Sequence, residues 1–365
     1  MTLRYFFTGW TQGSSYRLIP NDSAPRRKHS FYHKYALPGT LLLLLATTIF
    51  LLLEVNRWRR IYSPFDDYQP LNPFPVVHTQ SNGSNPNALA VVSTLYSNNY
   101  AVATAVLAHS VRSVKSTARL ILLYIDGQVS EEALCISRTA GWELLAVPRI
   151  APPHAGKGVR RHFIDQYTKL HIWSLDKMGV ERLVYLDADT LVRRNFDELF
   201  HLPFDFAAVP DVYGPGDVRG FSLTFNAGVL AIRPSSTVLQ DMKAKTETAR
   251  YPAVQAEQSF LNLYFCAKAA RLPYIYNALI AIKRRNPVVW KELKEDLSIV
   301  HYTDHKPFLL DGQLGEKILT PEETLMAVDQ ARQKYGLWSE EFGWWGLAYD
   351  WMMKEMGGKL MQCTP

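Results

Sequence analysis

Residues 182–192 read RLVYLDADTLV, an apolar run that leads directly into two aspartates, Asp187 and Asp189. The run is typical of a buried β-strand, and the two acids stand where the backbone is expected to turn. Carboxylates with this spacing can both reach one divalent cation, and their hard oxygens suit Mn²⁺ or Mg²⁺, which hold the phosphates of nucleotides. The pair also suits a plain turn or a helix cap, and about one such triplet is expected from composition alone in a chain of this length.

Short apolar runs on both sides of this stretch alternate with segments of helical spacing. They predict β-strands over 89–95, 120–125, 144–147, 183–186 and 206–209, and helices over 100–114, 131–140 and 163–177. Alternating strands and helices predict a parallel sheet that is covered on both faces. Because ligands of such sheets bind beyond the carboxyl ends of the strands, the site is expected near Tyr96 and Leu186, where the first and fourth strands end.

A phosphatase is one alternative for the acidic pair. Haloacid-dehalogenase-like phosphatases also carry a nucleophilic and an acid Asp after a hydrophobic strand, with Thr or Val four residues after the first Asp. Here Thr190 stands at three residues and Leu191 at four. The acids also follow three predicted strands instead of opening the domain, so this alternative is disfavoured.

Residues 37–53 read LPGTLLLLLATTIFLLL without a charge, and a run of roughly 17 apolar residues is at the short end of what a membrane-spanning helix needs. A buried core helix would rarely carry Leu on every face, and no cleavage pattern of a signal peptide follows. The tail before the run carries six Lys and Arg, twice the number in the near flank after it. The positive-inside rule therefore predicts Met1 in the cytosol and the rest in the lumen. A short span suits the thinner membranes of the endoplasmic reticulum or Golgi.

Composition limits the remaining classes. Hydrophobic residues make up 47% of the 365 residues and charged residues 20%, which excludes a mostly disordered chain. The net charge of +6 lies largely in the N-terminal tail, so it gives little reason to expect nucleic acid as a partner. Cys135, Cys266 and Cys363 are too few for a disulfide framework or a thiolate metal site. They are predicted to be core or free thiols, although one pair could form in an oxidising lumen.

Two further segments flank the alternating region. Residues 54–87 are rich in Pro, Asn, Ser and Tyr, as expected for a stem, and contain the glycosylation sequon Asn82-Gly83-Ser84. A second match, Asn21-Asp22-Ser23, lies on the predicted cytosolic side. Residues 322–338 have helical spacing and lead into an aromatic stretch with Trp338, Phe342, Trp344, Trp345 and Trp351. These side chains are predicted to pack against the preceding domain; the alternatives are stacking on an acceptor sugar or contact with a membrane surface.

Seven segments after the predicted stem follow one another in an informative order. They are TKLHIWSL at 168–175, VYLDADTLV at 184–192 with FDELF at 196–200, FNAGV at 225–229, EQSFLN at 257–262, LPYIYN at 272–277 and VHY at 300–302. In this order they resemble the glycogenin-like family 8 glycosyltransferases over about residues 91–308. The resemblance implies an α/β fold: a single nucleotide-diphospho-sugar transferase (GT-A type) domain with a mainly parallel central sheet. The one N-terminal transmembrane helix, predicted from residues 37–53, precedes this domain in the chain.

The resemblance places functional roles on named positions. It puts the metal ligands at Asp187, Asp189 and His301, a set consistent with Mn²⁺ and, as a second choice, Mg²⁺. It implies a UDP-sugar donor, with Lys306 meeting the diphosphate as the bond to the sugar breaks. Asn226 and Gln258 would line the sugar pocket, with Gln258 near the anomeric carbon, and these two and Lys306 are the expected catalytic residues. The residues expected to bind the donor are Thr94, Tyr96, Tyr100, Arg160, Lys169 and Ala188.

Retention of the anomeric configuration is also implied. Glu257 replaces the Asp usual in glycogenin, so a front-face mechanism assisted by the leaving diphosphate is expected instead of a covalent intermediate. After His301 the family pattern has Gly at three residues and Lys at six, followed by Pro and Trp; this chain has Asp304, Lys306 at five, and Phe308. No segment equivalent to glycogenin's self-glucosylated tyrosine is found, so self-priming of glycogen is not expected.

The sequence thus predicts a metal-dependent hexosyltransferase, anchored as a type II membrane protein, whose acceptor is a glycan, a lipid or a protein. The predicted map is a cytosolic tail at 1–36, a transmembrane helix at 37–53, a stem at 54–87, a glycosyltransferase domain at 88–310 and a helical, aromatic-rich extension at 311–365. The alternative is a non-catalytic carbohydrate-binding relative. Such a relative would be free to lose a metal ligand, whereas this chain keeps all three.

Overall fold

The structure is a computed structural model that describes residues 32–61, 72, 86–212, 224–311 and 315–363. The chain forms two compact units, Met1–Asp66 and Asp67–Pro365. Most of the predicted tail and stem, and both glycosylation sequons, lie outside the described residues.

The first unit contains one described helix, α1, Tyr32–Ile61. Its Pro38–Asn56 portion has a mean hydropathy of 2.0 and no buried residue, so it is long and apolar enough to cross a membrane. These 19 residues rise about 28 Å in an α-helix, close to the thickness of a bilayer core. The Thr47 and Thr48 hydroxyls donate hydrogen bonds to the carbonyl oxygens of Leu43 and Leu44, so neither is left without a partner in an apolar surrounding.

The strands of the second unit form two sheets. In chain order they are β1 Leu89–Leu95, β2 Arg119–Ile125, β3 Glu143–Val147, β4 Arg182–Leu186, β5 Thr190–Val192, β6 Phe206–Pro210, β7 Phe225–Ile232, β8 Ala270–Arg271, β9 Ala278–Leu279 and β10 Ile299–His301. The central sheet has the order β3-β2-β1-β4-β7-β6-β8, and a small sheet has the order β5-β10-β9. Strands β1 to β4 pair in parallel, whereas β7 runs antiparallel to both neighbours. The predicted mainly parallel sheet is therefore confirmed, and all five predicted strands are present.

The helices of the second unit alternate with the strands along the chain and follow them at its end. They are α2 Ala101–Ser113, α3 Glu131–Thr139, α4 Ser236–Lys245, α5 Ala256–Tyr264, α6 Ala281–Arg285, α7 Pro287–Leu293, α8 Pro321–Lys334 and α9 Ser339–Leu360. The helices predicted over 100–114 and 131–140 are confirmed. The prediction over 163–177 is wrong in type, because Gln166–Met178 is a run of 3-10 turns that ends at the left-handed Gly179. Residues 167–173 are all buried, so this segment packs on every side and has no exposed polar face. Its tighter 3-10 conformation is therefore attributed to tertiary packing and not to an amphipathic helical pattern.

Successive residues of the central strands point to opposite faces, as the pleat requires. Val91 on β1 and Val184 on β4 belong to an apolar cluster that includes side chains of α2, α3 and α9. Their neighbours Val92 and Tyr185 belong to a second cluster, with the 3-10 run, α4 and α5. The sheet is thus covered on both faces, as the alternating pattern predicted.

The C-terminal aromatic side chains pack mainly against the rest of the second unit. Trp338, Phe342 and Trp345 are buried, and the Trp338 indole donates a hydrogen bond to the carbonyl oxygen of Ile280. Trp344 is partly exposed and carries the Arg193 guanidinium 3.8 Å from its ring centroid. Only Trp351 of the predicted stretch is well exposed, at 56%. The packing prediction is therefore confirmed for most of these residues.

Two of the three cysteines correct the expectation of core or free thiols. Cys135 on α3 and Cys363, just after α9, form a disulfide across a sequence separation of 228 residues. Cys266 is free and exposed. The spacing of the cysteines could not select this pair, because the two residues meet only through the packing of α9 on α3.

Candidate active site

The acidic pair lies in a tight turn between β4 and β5. The Asp187 amide donates to the carbonyl oxygen of Gly228 on β7 at 2.8 Å, so the backbone of Asp187 is still hydrogen-bonded to the neighbouring strand. The amide and hydroxyl of Thr190 then donate to the Asp187 carbonyl oxygen at 3.0 and 2.8 Å. This turn holds both acid side chains at the end of a strand that is buried from Leu183 to Leu186.

His301 reaches the acids through the small sheet. Strand β10 pairs antiparallel with β5, in a register that sets His301 opposite Thr190. The Nε2 atom of His301 lies 3.1 Å from Oδ1 of Asp189 and 3.9 Å from Oδ2 of Asp187. The three residues predicted as metal ligands are therefore neighbours in space.

These three side chains fit a divalent metal. Their ligand atoms all lie within 4.8 Å of one another, and an ion about 2.1 Å from each ligand needs ligand atoms roughly 3 to 4 Å apart. Two carboxylate oxygens and one imidazole nitrogen suit Mn²⁺ and related ions. The site could therefore hold such an ion with little movement of the side chains.

Lys169 is buried beside the first acid. Its side chain is only 2% exposed, and its Nζ atom lies 3.0 Å from Asp187 and 2.8 Å from Glu257. Burial would lower the pKa of Lys169, but the two carboxylates outweigh this and raise it. Burial raises the pKa of Glu257, although Lys169 opposes the shift. Lys169 is therefore a fixed cation that joins two acids from different elements.

Lys306 pairs with the second acid. Its Nζ atom donates to Asp189 and to the Tyr302 carbonyl oxygen. Burial would raise the pKa of Asp189, but Lys306 and His301 lower it more, to well below its usual range. Although Lys306 stands one residue earlier than in the family pattern, its ammonium group still reaches Asp189.

The predicted sugar-pocket residues lie side by side. Oε1 of Gln258 accepts a hydrogen bond from the Ala227 amide at 2.9 Å and lies 3.3 Å from Nδ2 of Asn226. Nε2 of Gln258 donates to Oδ2 of Asp211 at 3.1 Å. Asp211, whose pKa is raised by burial, was not predicted. It directly follows β6, so the rule that drew attention to Asp187, an acid at a strand end, would have found it.

The residues predicted to bind the nucleotide, Thr94 at the end of β1 and Tyr96 and Tyr100 just after it, lie outside the lining of the cleft. The Thr94 hydroxyl is 2.8 Å from the Tyr185 hydroxyl, which in turn donates to Oδ1 of Asp187 at 2.6 Å. Tyr185, which was not predicted, therefore supports an acid. Burial raises the pKa of Tyr96. Burial also raises the pKa of Tyr100 to about 12, and its ring packs edge-on against Phe308 with centroids 5.2 Å apart.

A cleft of about 470 Å³ opens in front of the acids. The predicted residues that line it are Arg160, Lys169, Asp187, Asn226, Gln258 and His301. Thr94, Tyr96, Tyr100, Ala188, Asp189 and Lys306 are not part of this lining. The cleft also contains Asp211, Glu257, Arg284, Arg285 and Asp304, and the Arg284 guanidinium pairs with Asp304 at 2.9 Å. Two of the three metal-site residues and both sugar-pocket residues thus face one cavity.

Comparison with known proteins agrees with this architecture. UDP-glucuronate:xylan alpha-glucuronosyltransferase 2 of Arabidopsis thaliana is 28% identical over 260 residues, which cover 68% of this chain and 40% of that protein. Glycogenin of Neurospora crassa is 27% identical over 221 residues, which cover 60% of this chain and 31% of that protein. The chain therefore spans less than half the length of either relative.

A solved structure is also similar. The apo form of the glycosyltransferase GlyE of Streptococcus pneumoniae TIGR4 aligns with a TM-score of 0.47 and 21% identity, over 73% of this chain and 63% of that one. Residues 91–309, more than half of the chain, match the family described as "Glycosyl transferase family 8". This match begins in β1 and ends beyond Lys306, so it contains every side chain of the site, and the chain belongs to glycosyl transferase family 8.

Proposed function

We propose that the chain is a metal-dependent, retaining glycosyltransferase that moves a sugar from a UDP-sugar to a glycan, lipid or protein acceptor. The observation that carries this proposal is that the ligand atoms of Asp187, Asp189 and His301 lie within 4.8 Å of one another, and that two of these residues, Asp187 and His301, line the cleft that Asn226 and Gln258 also line. The similarity to UDP-glucuronate:xylan alpha-glucuronosyltransferase 2 supports UDP as the nucleotide. Mn²⁺ is the proposed ion, because a mixed oxygen and nitrogen set suits it better than Mg²⁺.

The charges of the site fit this reaction. When bound, a divalent ion would compensate the negative charge that develops on the departing diphosphate. Lys306, which lies beside Asp189, is proposed to bind a phosphate oxygen of the same group. Asp211, held by Gln258 at 3.1 Å, is proposed to accept hydrogen bonds from hydroxyl groups of the donor sugar.

A front-face mechanism is the better proposal for retention. Glu257, the carboxylate in the position usual for Asp in glycogenin, is buried and paired with Lys169 at 2.8 Å. A carboxylate held by a buried ammonium group is a poor nucleophile, because attack would remove the negative charge that the ammonium stabilises. Mass spectrometry of Glu257 after reaction with a fluorinated donor tests this point, and a trapped glycosyl adduct would overturn it.

We also propose the domain map and topology given by the sequence, with residues 88–310 catalytic and the protein anchored by α1 in the endoplasmic reticulum or Golgi membrane. The Cys135–Cys363 disulfide supports a lumenal second unit, because disulfides persist in the oxidising secretory pathway and are rare in the cytosol. The apolar Pro38–Asn56 portion of α1 supports the anchor.

The test uses the full-length chain purified in detergent. UDP release is measured from UDP-glucose, UDP-galactose, UDP-N-acetylglucosamine and UDP-glucuronate, each with Mn²⁺ or with a chelator. We expect Mn²⁺-dependent release from at least one donor. Donor binding without any release would support the carbohydrate-binding alternative, and release that is unaffected by chelation would contradict a metal-dependent reaction.

Lys306→Met is expected to lower kcat for UDP release on the order of 10²-fold, because a cation that meets the leaving diphosphate is lost. The binding of Mn²⁺ alone should not weaken, since the lysine competes with an ion for Asp189. Steady-state kinetics and Mn²⁺ titration measure the two effects. Lys334→Met is the matched control, because Lys334 pairs with Asp311 at 2.6 Å outside the cleft. A change of less than about twofold for both variants would contradict the role of Lys306.

A further inference from the structure

Asn277 lies behind the metal-site histidine, outside the lining of the cleft. It directly precedes β9 and is completely buried, with 0% of its side chain exposed. Its amide group lies between His301 on β10 and Asn226 on β7, with hydrogen bonds of 3.0 and 2.9 Å. A buried amide with two defined partners orients both of them.

The direction of these hydrogen bonds follows from the backbone. The Gly228 amide can only donate, and it donates to Oδ1 of Asn226 at 2.9 Å. The group of Asn277 that meets the same oxygen must therefore be its NH₂ group, which leaves Oδ1 of Asn277 facing Nδ1 of His301. An amide oxygen only accepts, so Nδ1 of His301 carries the proton. Nε2, which lies 3.1 Å from Asp189 and 3.9 Å from Asp187, is then the ring nitrogen that can bind an ion.

The absence of a side chain at Gly228 leaves room for the imidazole ring of His301. A Cβ atom at position 228 would lie 2.2 Å from Cε1 and 2.5 Å from Nδ1 of His301, so the ring packs directly against the backbone of β7. The backbone of His301 is also fixed, because its carbonyl oxygen accepts from the Ile280 amide at 3.0 Å. The imidazole ring of His301 can therefore vary only in its tautomer and in a flip of the ring. The hydrogen bond to Oδ1 of Asn277 fixes both.

We propose that Asn277 is a positioning residue of the metal site, which holds His301 in the Nδ1-protonated form so that Nε2 is free to bind the ion. The inference rests on the metal site of the proposed function. Partners that orient a ligating histidine through its other nitrogen typically change metal affinity by about 10- to 100-fold when they are removed. The same amide joins Asn226, so one residue holds both the metal ligand and a wall of the sugar pocket.

The test is Mn²⁺ binding to the full-length chain in detergent without nucleotide. Binding is measured as the loss of the electron paramagnetic resonance signal of free Mn²⁺. Asn277→Leu should weaken binding about 10- to 100-fold. Asn277→Asp should bind within about threefold of wild type, because a carboxylate oxygen also accepts from Nδ1. Asn262→Leu is the matched control: Asn262 bonds both backbone groups of Phe225 and the carbonyl oxygen of Gln258, and none of these hydrogen bonds goes to Asp187, Asp189 or His301. It should lower the melting temperature and leave Mn²⁺ affinity unchanged.

The outcomes separate two failures. If wild type binds no Mn²⁺, the proposed function fails at its metal site. If wild type binds and Asn277→Leu binds within twofold of it, or if Asn277→Asp loses as much affinity as Asn277→Leu, the positioning role is overturned. Should Asn277→Leu show no cooperative unfolding, Asn277→Ser takes its place, because its short hydroxyl cannot reach His301, and the same tenfold loss is expected.

Discussion

Asp189→Asn is expected to lower Mn²⁺-dependent UDP release on the order of 10³-fold, the range found when a group that stabilises transition-state charge is removed. Asp189 is at once a predicted metal ligand, the partner of His301 at 3.1 Å and the partner of Lys306. An amide keeps the shape of the side chain but carries no charge, so it binds a divalent ion weakly and no longer pairs with the Lys306 ammonium group. The loss should appear in kcat/KM with each accepted donor.

The matched control is Asp296→Asn. Asp296 is an exposed carboxylate, 70% accessible, that pairs with Arg194 at 3.2 Å away from the cleft, and an exposed pair of this kind contributes little to stability. Its variant should keep wild-type kinetics. A rate for Asp189→Asn within tenfold of wild type, with the control unchanged, would mean that UDP release does not depend on the acidic pair.

The central sheet was predictable because its strands are locally encoded. Strand β4 is almost completely buried and reads as an uninterrupted apolar run, and its end is marked by the acids of the turn. Parallel strands buried on both faces give such runs, which a sequence shows directly. The same local signal placed the acidic pair at the strand end.

The rest of the site depends on pairings between distant parts of the chain. Nothing around His301 marks it as a ligand; it meets the acids only because β10 pairs with β5, and the ordered resemblance to a family supplied that information. The hydroxyl of Tyr185, inside an apolar strand, supports Asp187 at 2.6 Å. A residue that reads as core can thus serve a polar network, and periodicity cannot reveal this.

Replacing both Cys135 and Cys363 with Ser is expected to lower the free energy of unfolding by about 3 kcal/mol, in the usual range for a disulfide that closes a long loop. The bond links α3 to the end of α9 across 228 residues, and α9 buries Phe342 and Trp345 in the core. Without it the unfolded chain gains freedom and the end of α9 can fray. For a unit of this size the melting temperature should fall by about 5 °C, measured by thermal unfolding of the full-length chain in detergent.

Cys266→Ser is the control, because Cys266 is a free, exposed thiol and its loss should leave the melting temperature unchanged. Adding reductant to wild type should reproduce the double variant and should have no effect on that variant. If the double variant and the control melt within about 1 °C of each other, the bond does not form in the purified protein. A lumenal second unit would then be supported only by the charges around α1, since an oxidising compartment is what allows this disulfide to persist.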